Sequence, residues 1–450
     1  MELSLAEVRQ ATDAEWLGPA PGLIKRASGW SIDSRTIAPG DVFFAIRGDR
    51  FDGHAFVKAA VERGALAAVV SKAVEERPLL RVADTLEALQ RLAYWARRRW
   101  MKPVVAITGS AGKTSTKDIV SELLGARLRV AKTIGNLNNH LGVPLTLLRI
   151  PDDAEVAVVE MGMNHAGEIR RLATLAEPAI GVVTNVGYAH VESFDSIEGV
   201  AAAKRELIES LPSEGVAILN ADDALVREFR RVHSGRTLTY GIAEDADIRA
   251  DELDMRSDGA AFTVQGVRFE SRLAGRHNVS NVLAGIAVAS LFGIPFSELT
   301  AIVAALAPGK MRGARSYWRG VTILNDSYNS NPEAACRMID VLRAEPAARR
   351  IAVLGEMLEL GSMSETLHRQ VGRYAAHAGI DALVGIRGAA AFLVREAKRA
   401  GMSGSRVFFF DDSESAGEFL REWAQPGDAI LFKGSRGTQV EKALATMEKE

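Results

Sequence analysis

From Val104 onward, short apolar runs rich in Val, Ile and Leu alternate with stretches whose apolar residues recur at helical spacing. This alternation predicts strand–helix–strand units and a mainly parallel sheet whose strands are buried on both faces. Polar residues directly follow several of the runs, at Glu160, Thr184-Asn185, Asn220 and Asn325-Asp326. Open α/β sheets bind ligands at the carboxyl ends of their strands. The pattern therefore predicts a binding site along one edge of such a sheet.

Two breaks in this pattern predict where the chain divides into domains. One is the basic segment Trp100-Met101-Lys102-Pro103, and the other is the Gly- and Pro-rich connector of residues 308–313. We therefore expect an α/β protein of three domains, spanning residues 1–100, 101–312 and 313–450. The central domain is expected to hold a mostly parallel sheet, the C-terminal domain a second α/β unit, and the first domain a smaller α/β or mixed unit.

Composition and charge are typical of an ordinary globular protein. The 450 residues are 47% hydrophobic and 25% charged, and the net charge of −2 gives no general reason to bind nucleic acid or an anionic membrane. The longest apolar stretch, Val282 to Phe296, is shorter than a membrane span and contains Pro295, so it predicts a buried helix and turn. Cys336, the single cysteine, indicates a reducing compartment and is expected in the core. Because no basic and apolar signal segment is visible, we expect a cytoplasmic protein. We also expect it to act as a monomer.

The segment Thr108-Gly109-Ser110-Ala111-Gly112-Lys113-Thr114 carries the strongest chemical signal in the sequence. It follows the apolar run Val104 to Ile107 and precedes an amphipathic stretch from Asp118 to Leu128, as in a strand that leads through a phosphate-binding loop into a helix. Lys113 would supply charge to the outer phosphates of ATP, and the Thr114 hydroxyl is placed to bind Mg²⁺. Two residues, instead of the usual four, separate the first glycine from the Gly-Lys pair, which narrows the class of ATP-binding proteins.

Three single residues are candidates for metal chemistry near this loop. Glu160 ends a predicted strand, and its carboxylate could complete Mg²⁺ coordination opposite Thr114; the alternative is a glutamate that caps a helix. His190 follows the Thr184-Asn185 turn, and Lys204 lies on the next predicted helix. Taken alone, these two are typical of a core or turn histidine and a solvated lysine.

Two further polar segments could face a nucleotide. Residues 276–281 open an apolar helix, where Asn278 or Ser280 would cap the helix, or Asn278 and Asn281 would offer their amides to a purine. Residues 326–332 follow a buried strand and could meet the nucleotide across a domain cleft. The alternative for this second segment is a turn into a helix that begins with proline.

Taken together, these segments resemble the Mur ligase family, whose members build the peptide of bacterial cell-wall precursors. The resemblance spans nearly the whole chain. In the central part it rests on Thr108 to Thr114, Asn136-Leu137-Asn138-Asn139 with Gly142 and Pro144, Glu160-Met161-Gly162, His190 with Lys204, and Arg276 to Asn281. Outside that part, the segments similar to members that add D-alanyl-D-alanine are Ser31 to Arg35, Gly40 to Ile46, Asp52 to Phe56, Asn325 to Pro332 and Leu354 to Gly361.

The resemblance implies an N-terminal domain that binds a UDP-linked substrate, a central P-loop ATPase, and a C-terminal Rossmann-like domain that closes over the nucleotide. It also implies a reaction, with ATP and Mg²⁺ as cofactors. UDP-N-acetylmuramoyl-tripeptide would be joined to D-alanyl-D-alanine through an acyl phosphate, with release of ADP and phosphate.

Matching the family motifs residue by residue implies the following roles. The catalytic residues would be Lys113, Glu160, His190 and Lys204. The metal ligands would be Thr114, Glu160, His190 and Lys204, the last as a carbamate. ATP would contact Gly109, Ser110, Ala111, Gly112, Lys113 and Thr114, and also Arg312 and Asp326. Asn278 and Asn281 would contact its adenine. The UDP-linked substrate would contact Ser34 and Arg35 at the UDP moiety and Asn138 and Asn139 at the sugar-peptide.

Two alternatives remain at this point. A related ligase, such as folylpolyglutamate synthetase or the enzyme that adds the third amino acid, is disfavoured by the Ser327 to Pro332 loop and by the lack of an Asp-Asn-Pro-Arg sequence. A P-loop motor or switch that binds a macromolecule would need a basic track or switch segments, and the near-zero net charge gives little support for it.

Overall fold

The computed structural model describes residues 2–18, 25–48 and 51–449 of the chain. Its N-terminal elements are β1 (Leu3–Ser4), α1 (Leu5–Thr12), β2 (Glu15–Leu17), β3 (Arg26–Ala27), β4 (Gly29–Ser31), β5 (Asp41–Phe44), α2 (Val57–Glu62), β6 (Ala67–Val70), β7 (Leu79–Arg81) and α3 (Thr85–Trp100). Within the described residues, five of these strands form a mixed sheet in the order β2-β7-β6-β5-β4, in which β2 is antiparallel to β7 and the other pairs are parallel.

A larger sheet follows α3. The elements of this central part are β8 (Val104–Thr108), α4 (Lys113–Leu124), β9 (Val130–Lys132), α5 (Gly142–Leu148), β10 (Val156–Glu160), α6 (Glu168–Ala176), β11 (Ile180–Val183), α7 (Ile197–Glu209), β12 (Val216–Asn220), α8 (Ala224–Arg227), β13 (Arg236–Gly241), β14 (Ile248–Arg249), β15 (Asp251–Arg256), β16 (Gly259–Val264), β17 (Val267–Ser271), α9 (Arg276–Leu291) and α10 (Phe296–Ala305). Residues 104–249 form a parallel sheet in the order β14-β13-β12-β11-β8-β10-β9, and residues 251–271 form a small antiparallel sheet.

The C-terminal part contains a third α/β unit. Its elements are β18 (Ala314–Trp318), β19 (Val321–Asp326), α11 (Pro332–Arg343), β20 (Arg349–Gly355), α12 (Ser364–His377), β21 (Ala382–Ile386), α13 (Ala390–Arg399), β22 (Val407–Phe410), α14 (Ser413–Trp423), β23 (Asp428–Lys433) and α15 (Glu441–Met447). Residues 314–433 form a sheet in the order β18-β19-β23-β20-β21-β22, in which the pair β18-β19 is antiparallel and the others are parallel.

The central sheet is buried on both faces, as a parallel sheet flanked by helices should be. Along β8, the side chains of Val104 and Ala106 join one apolar core and those of Val105 and Ile107 join the other. In the second core α9 packs closely on α4, because a Cβ at Gly285 would lie 2.8 Å from the Ile119 side chain. This packing fixes the carboxyl end of β8, from which the phosphate-binding loop extends.

The predicted α/β class with mainly parallel sheets is confirmed, and several local predictions are wrong. The helix after the loop begins at Lys113 instead of Asp118. Helix α9 begins at Arg276, because Gly275 with φ of 92° ends the preceding segment, so neither Asn278 nor Ser280 is its N-cap. Cys336 is half-buried at the edge of the core.

The apolar stretch from Val282 is the predicted buried helix and turn, since α9 ends at Leu291 and α10 starts at Phe296. Across the described part of the chain, no helix combines the length and the apolar character needed to cross a membrane.

Candidate active site

The loop between β8 and α4 has the conformation that phosphate binding requires. Gly112 precedes the first turn of α4 with φ of 81°, a left-handed conformation that favours glycine. A Cβ at Gly109 would lie 1.9 Å from the Thr184 hydroxyl oxygen. Glycine at both positions lets the loop pack tightly while its N–H groups surround the start of α4, where an anion is favoured.

A second loop, residues 184–188 after β11, holds the phosphate-binding loop in place. The Asn185 side chain accepts a hydrogen bond from the Ala111 N–H and donates one to the Ala111 carbonyl, both at 2.9 Å. The Ser110 hydroxyl accepts from the Gly187 N–H at 2.8 Å and donates to the Gly187 carbonyl at 2.9 Å. These paired bonds preorganise the loop before any nucleotide binds.

Lys113 is the half-buried cation of the loop. Its Nζ donates to the Gly109 carbonyl at 2.6 Å, its one hydrogen bond among the residues that the structure describes. Desolvation lowers the pKa of Lys113, the Glu160 carboxylate opposes that shift, and the Arg312 charge adds to it. Such an ammonium gains from an anion beside it, and the outer phosphates of ATP provide one.

Glu160 ends β10 and has one free oxygen. Its Oε1 accepts from the Asn138 side chain at 2.7 Å, whereas its Oε2 is buried and has no hydrogen-bond partner. A hard carboxylate oxygen left unpartnered beside Thr114, which lines the same cleft, fits a Mg²⁺ ligand. Within the described ranges, no group of three or more His, Cys, Asp and Glu side chains could hold a metal. Mg²⁺ here would therefore draw its other ligands from phosphate, water or a modified side chain.

Lys204 lies on α7, and only 1% of its surface is exposed. Its ammonium has no hydrogen bond or ion pair to any residue that the structure describes. Burial and the nearby charge of Lys113 lower the pKa of Lys204 well below its ordinary value. The expectation of a solvated lysine is therefore wrong, because the folded chain buries this side chain and favours its neutral amine.

His190 faces the C-terminal part of the chain. It has a left-handed backbone, with φ of 62°, and its Nδ1 lies 2.6 Å from Glu359 Oε2. This hydrogen bond lowers the pKa of Glu359, against a smaller opposing effect of burial. The Glu359 carbonyl also accepts from the Glu192 N–H at 3.2 Å. The second ring nitrogen, Nε2, has no partner among the described side chains.

Glu333, at the start of α11, makes a second contact between the C-terminal part and the 184–188 loop. Its carboxylate accepts from the Tyr188 N–H at 3.2 Å, and a Cβ at Gly187 would lie 2.7 Å from the Glu333 carboxyl carbon. Burial raises the pKa of Glu333 despite this hydrogen bond. The contact therefore places a partly desolvated carboxylate against the 184–188 loop, which holds the phosphate-binding loop in place.

Residues expected at the nucleoside lie around a neighbouring cavity. Asn278 and Arg312 line both the main cleft and a cavity of about 460 Å³ whose apolar walls include Leu273 and Pro308. The Arg312 guanidinium carbon lies 3.9 Å from the centre of the Tyr328 ring.

Asn281 has a different environment. Its Oδ1 accepts from the Thr116 hydroxyl, and its Nδ2 donates to Asn278 Oδ1. A Cβ at Gly112 would lie 2.7 Å from the same Oδ1. In this structure the Asn281 side chain therefore supports the phosphate-binding loop.

The structure brings most of the predicted residues to one cleft of about 620 Å³ between the central and C-terminal sheets. Those that line it are Ser110, Ala111, Gly112, Lys113, Thr114, Asn138, Asn139, Glu160, His190, Asn278, Asn281, Arg312 and Asp326. Gly109 and Lys204 lie outside the lining. Ser34 and Arg35 are in the N-terminal part and also lie outside it; Ser34 is buried, and Arg35 is exposed and paired with Asp33 at 2.7 Å.

Several site residues were missed by sequence reasoning. Lys433, at the end of β23, is 2% exposed and pairs with Asp326 Oδ2 at 2.5 Å. Asn185 was recognised as a polar strand-end residue but was given no role, and Lys433 follows the same rule, so a local signal existed for both. Glu333 and Glu359 carried no such signal, because their contacts are with residues far away in the sequence.

Similarity to known proteins defines the class. Residues 107–289 match the Mur ligase middle domain, residues 311–436 match the Mur ligase glutamate ligase domain, and residues 26–96 match the catalytic domain of the Mur ligase family. The chain belongs to the Mur ligase family.

Relatives and solved structures extend this likeness over the length of the chain. A Synechocystis protein named UDP-N-acetylmuramoyl-tripeptide--D-alanyl-D-alanine ligase is 39% identical over 428 residues, covering 92% of this chain and 91% of its own. A crystal structure of MurF from Acinetobacter baumannii matches with a TM-score of 0.91 and 31% identity, covering 100% of this chain and 99% of that one. MurF ligase from Thermotoga maritima in complex with ADP matches with a TM-score of 0.82 and 29% identity, covering 94% and 97%.

Proposed function

We propose that this chain is an ATP-dependent ligase that joins D-alanyl-D-alanine to UDP-N-acetylmuramoyl-tripeptide, giving the UDP-linked pentapeptide, ADP and phosphate. The observation that carries the proposal is the cleft itself. It sets the phosphate-binding loop and the unpartnered oxygen of Glu160 opposite the strand ends of a C-terminal α/β domain. The names of the full-length relatives supply the substrates.

Such a cleft suits amide formation because a carboxylate is a poor acyl donor. The terminal carboxylate of the tripeptide first attacks the γ-phosphorus of ATP, which releases ADP and leaves an acyl phosphate. The amine of the dipeptide then attacks the acyl carbon, and phosphate leaves from the tetrahedral intermediate. Both reactants of the first step are anions, so the main task of the protein is to position them and neutralise their charge.

Lys113 and the loop amides carry out most of this task. The loop N–H groups would hold the phosphates, and Lys113 would exchange its Gly109 carbonyl for a phosphate oxygen. Mg²⁺, when bound by Thr114 and Glu160, supplies further positive charge at the outer phosphates. The Asn138 bond to Glu160 Oε1 leaves Oε2 for that purpose. Asn278, Arg312 and the other residues that line the neighbouring cavity would then hold the nucleoside.

Lys204 is proposed to act as a carbamate. A neutral, buried amine attacks CO₂ to give a carbamate and a proton, which converts the amine into a carboxylate-like metal ligand. Together with His190 Nε2 it would help hold a second Mg²⁺. In a Lys204→Ala variant, we expect activity to be lost and partly restored by short-chain carboxylic acids. Near-normal activity of this variant without added acid would refute the carbamate role.

The N-terminal residues are proposed to hold the UDP moiety, with Ser34 and Arg35 as contacts. Breaking the bidentate Arg35–Asp33 pair would free the guanidinium for a phosphate, and the pair is solvent-exposed. Asn138 and Asn139 would lie along the sugar-peptide between this part and the cleft. A cytoplasmic location and a monomeric state complete the proposal.

The direct test is product formation. Purified protein with ATP, Mg²⁺, the UDP-tripeptide and D-alanyl-D-alanine should give the UDP-pentapeptide by mass spectrometry, with phosphate release that requires both peptides. Omitting either peptide is the control. Turnover on a folate and glutamate, without the pentapeptide, would overturn the assignment.

A further inference from the structure

Arg337 is a cation of the main cleft without a hydrogen-bond or ion-pair partner among the residues that the structure describes. It lies on α11, is half-buried, and lines the cleft opposite the phosphate-binding loop. Throughout the described ranges, its guanidinium makes no hydrogen bond, ion pair or ring contact. The other lysine and arginine side chains of the lining are each engaged: Lys113 by the Gly109 carbonyl, Arg312 by the Tyr328 ring and Lys433 by Asp326.

The surroundings of Arg337 leave it available to an external anion. Two acids share its helix, and both have other partners. Glu333 accepts the Tyr188 N–H and is attracted to the charge of Arg337 without a hydrogen bond or ion pair to it, and the exposed Asp340 accepts from the Tyr374 hydroxyl. His277 also lines the cleft, and burial with the charges of Arg337 and Lys433 lowers its pKa to about 3. His277 is therefore neutral and does not compete for an anion. A half-buried guanidinium with five donors and no acceptor favours a planar carboxylate, which it can bind through two parallel hydrogen bonds.

The proposed reaction brings three anionic groups into this cleft. The phosphates of ATP meet the loop and Lys113, and the tripeptide carboxylate must lie at the γ-phosphate to be phosphorylated. The third anion, the carboxylate of the acceptor dipeptide, stays charged throughout and has no assigned cation. Arg337 lines the same cleft as the phosphate-binding loop but lies on α11, in the C-terminal part of the chain. An acceptor held there by its carboxylate can direct its amine toward the acyl phosphate.

We propose that Arg337 binds the carboxylate of the acceptor dipeptide and thereby selects an acceptor with a free C-terminus. The inference rests on the proposed ligase function and adds a specificity-determining residue to it. An acceptor that lacks the carboxylate would leave the guanidinium half-buried and unpaired, and sites built around such a polar pairing reject the analogue strongly.

The test compares D-alanyl-D-alanine with D-alanyl-D-alaninamide, which has the same amine but no carboxylate. The parent protein should prefer the free acid by about 10²-fold in kcat/KM. Arg337→Gln should raise KM for the free acid by about 10²-fold and lose the preference, while KM for ATP and for the UDP-tripeptide stays nearly constant. Arg337→Lys, which keeps the charge but not the paired donors, should lie between the two.

Arg343→Gln, an exposed change on the same helix, is the matched control and should behave as the parent. Melting temperatures of all variants check folding. If Arg337→Gln keeps the preference for the free acid, or raises KM for ATP instead, the inference is wrong. If the parent makes no pentapeptide from the free acid, the proposed function itself is wrong, so the two failures are distinguishable.

Discussion

The two sides of the cleft are built in different ways. We call residues 108–114 and 184–188 the floor, and residues 326–337, 356–361 and 433–435 the wall. The floor is held by hydrogen bonds between side chains and backbone at 2.8–2.9 Å and by close approaches at glycine. The wall meets the floor and the segment after it through a few polar contacts, at Tyr188, His190, Glu192 and Ser110.

Because of this difference, the floor holds the residues that bind the nucleotide, and the wall holds those that complete the active site. The hydrogen bonds that shape the floor are made within it. The wall adds polar contacts, and apolar side chains of both sides, such as Val186 and Leu360, belong to one hydrophobic core. We infer that the two sides can separate as units, at the cost of these contacts. The predictions below test the floor first, where the effects should be largest, and then the contacts of the wall.

The largest effect is expected from removing the Lys113 charge of the floor. Lys113→Met keeps a long side chain at this position but leaves the phosphates without their cation. We expect kcat to fall by about 10²–10³-fold, as for loss of one preorganised donor in a transition state, in an assay of phosphate release. Lys102→Met, at an exposed lysine just before β8, is the control. Substantial ligase activity in Lys113→Met would show that the charge of the floor is not needed for catalysis.

The second prediction tests the close packing of the floor. Gly109→Ala places a Cβ 1.9 Å from the Thr184 hydroxyl, so either the loop or β11 must shift. Overpacking of this kind costs about 1–3 kcal/mol, and we expect a lower melting temperature together with weaker ATP binding by calorimetry. The double variant Gly109→Ala/Thr184→Ala should recover part of both losses. Gly404→Ala, where a Cβ meets open space, should change neither.

The same comparison explains which parts of the site could be predicted. The floor is local in sequence, since the loop lies between β8 and α4 and Glu160 ends the adjacent strand. The glycine-rich loop motif therefore predicted residues 108–114, and strand-end polarity predicted Glu160 and Asn185. Contacts between floor and wall join residues more than 140 positions apart, as for Tyr188 and Glu333. No periodicity or motif in a single sequence marks such a pair.

Burial is the other property that the sequence did not show. Lys204 lies in the alanine-rich helix segment Ala201-Ala202-Ala203-Lys204, and the pattern gives no sign that tertiary packing encloses the lysine. Likewise, the sheet of β15 to β17 was not predicted, because the side chains of Asp251–Arg256 are mostly polar and exposed. Strands with apolar runs, such as Val104–Thr108, were predicted correctly because both of their faces are buried.

The third prediction concerns Glu333, the carboxylate of the wall that contacts the 184–188 loop of the floor. Burial raises the pKa of Glu333, so the folded protein binds its proton more tightly than the unfolded chain does. The contribution of Glu333 to stability is therefore complete below its ordinary pKa of 4.5 and is lost as pH rises through the raised value. Glu333→Gln can still accept the Tyr188 N–H and has no charge to desolvate. Its melting temperature should exceed that of the parent by an amount that grows with pH and then levels off.

A matched control separates Glu333 from other acids in that pH range. Glu345 also has a raised pKa through burial and pairs with Arg315, but it is unchanged in both proteins, so it cancels in the difference. Glu365→Gln, at an exposed glutamate of α12, should show no such pH-dependent gain. A difference between Glu333→Gln and the parent that shrinks as pH rises would contradict the sign of the predicted shift.

The smallest effect is expected at the His190–Glu359 pair, because Glu359 is half-exposed and exposed pairs contribute about 0–1 kcal/mol. Glu359→Gln should leave the melting temperature nearly unchanged. Because the pair joins the wall to the segment that carries His190, its loss should still favour separation of the two sides, seen as a larger radius of gyration by X-ray scattering. The radius of the parent should approach that of the variant at high salt, which screens the pair. Glu365→Gln removes a pair within α12, outside the contacts with the floor, and should leave the radius unchanged. An equal increase there would mean that the variants loosen the C-terminal part itself and not its contact with the floor.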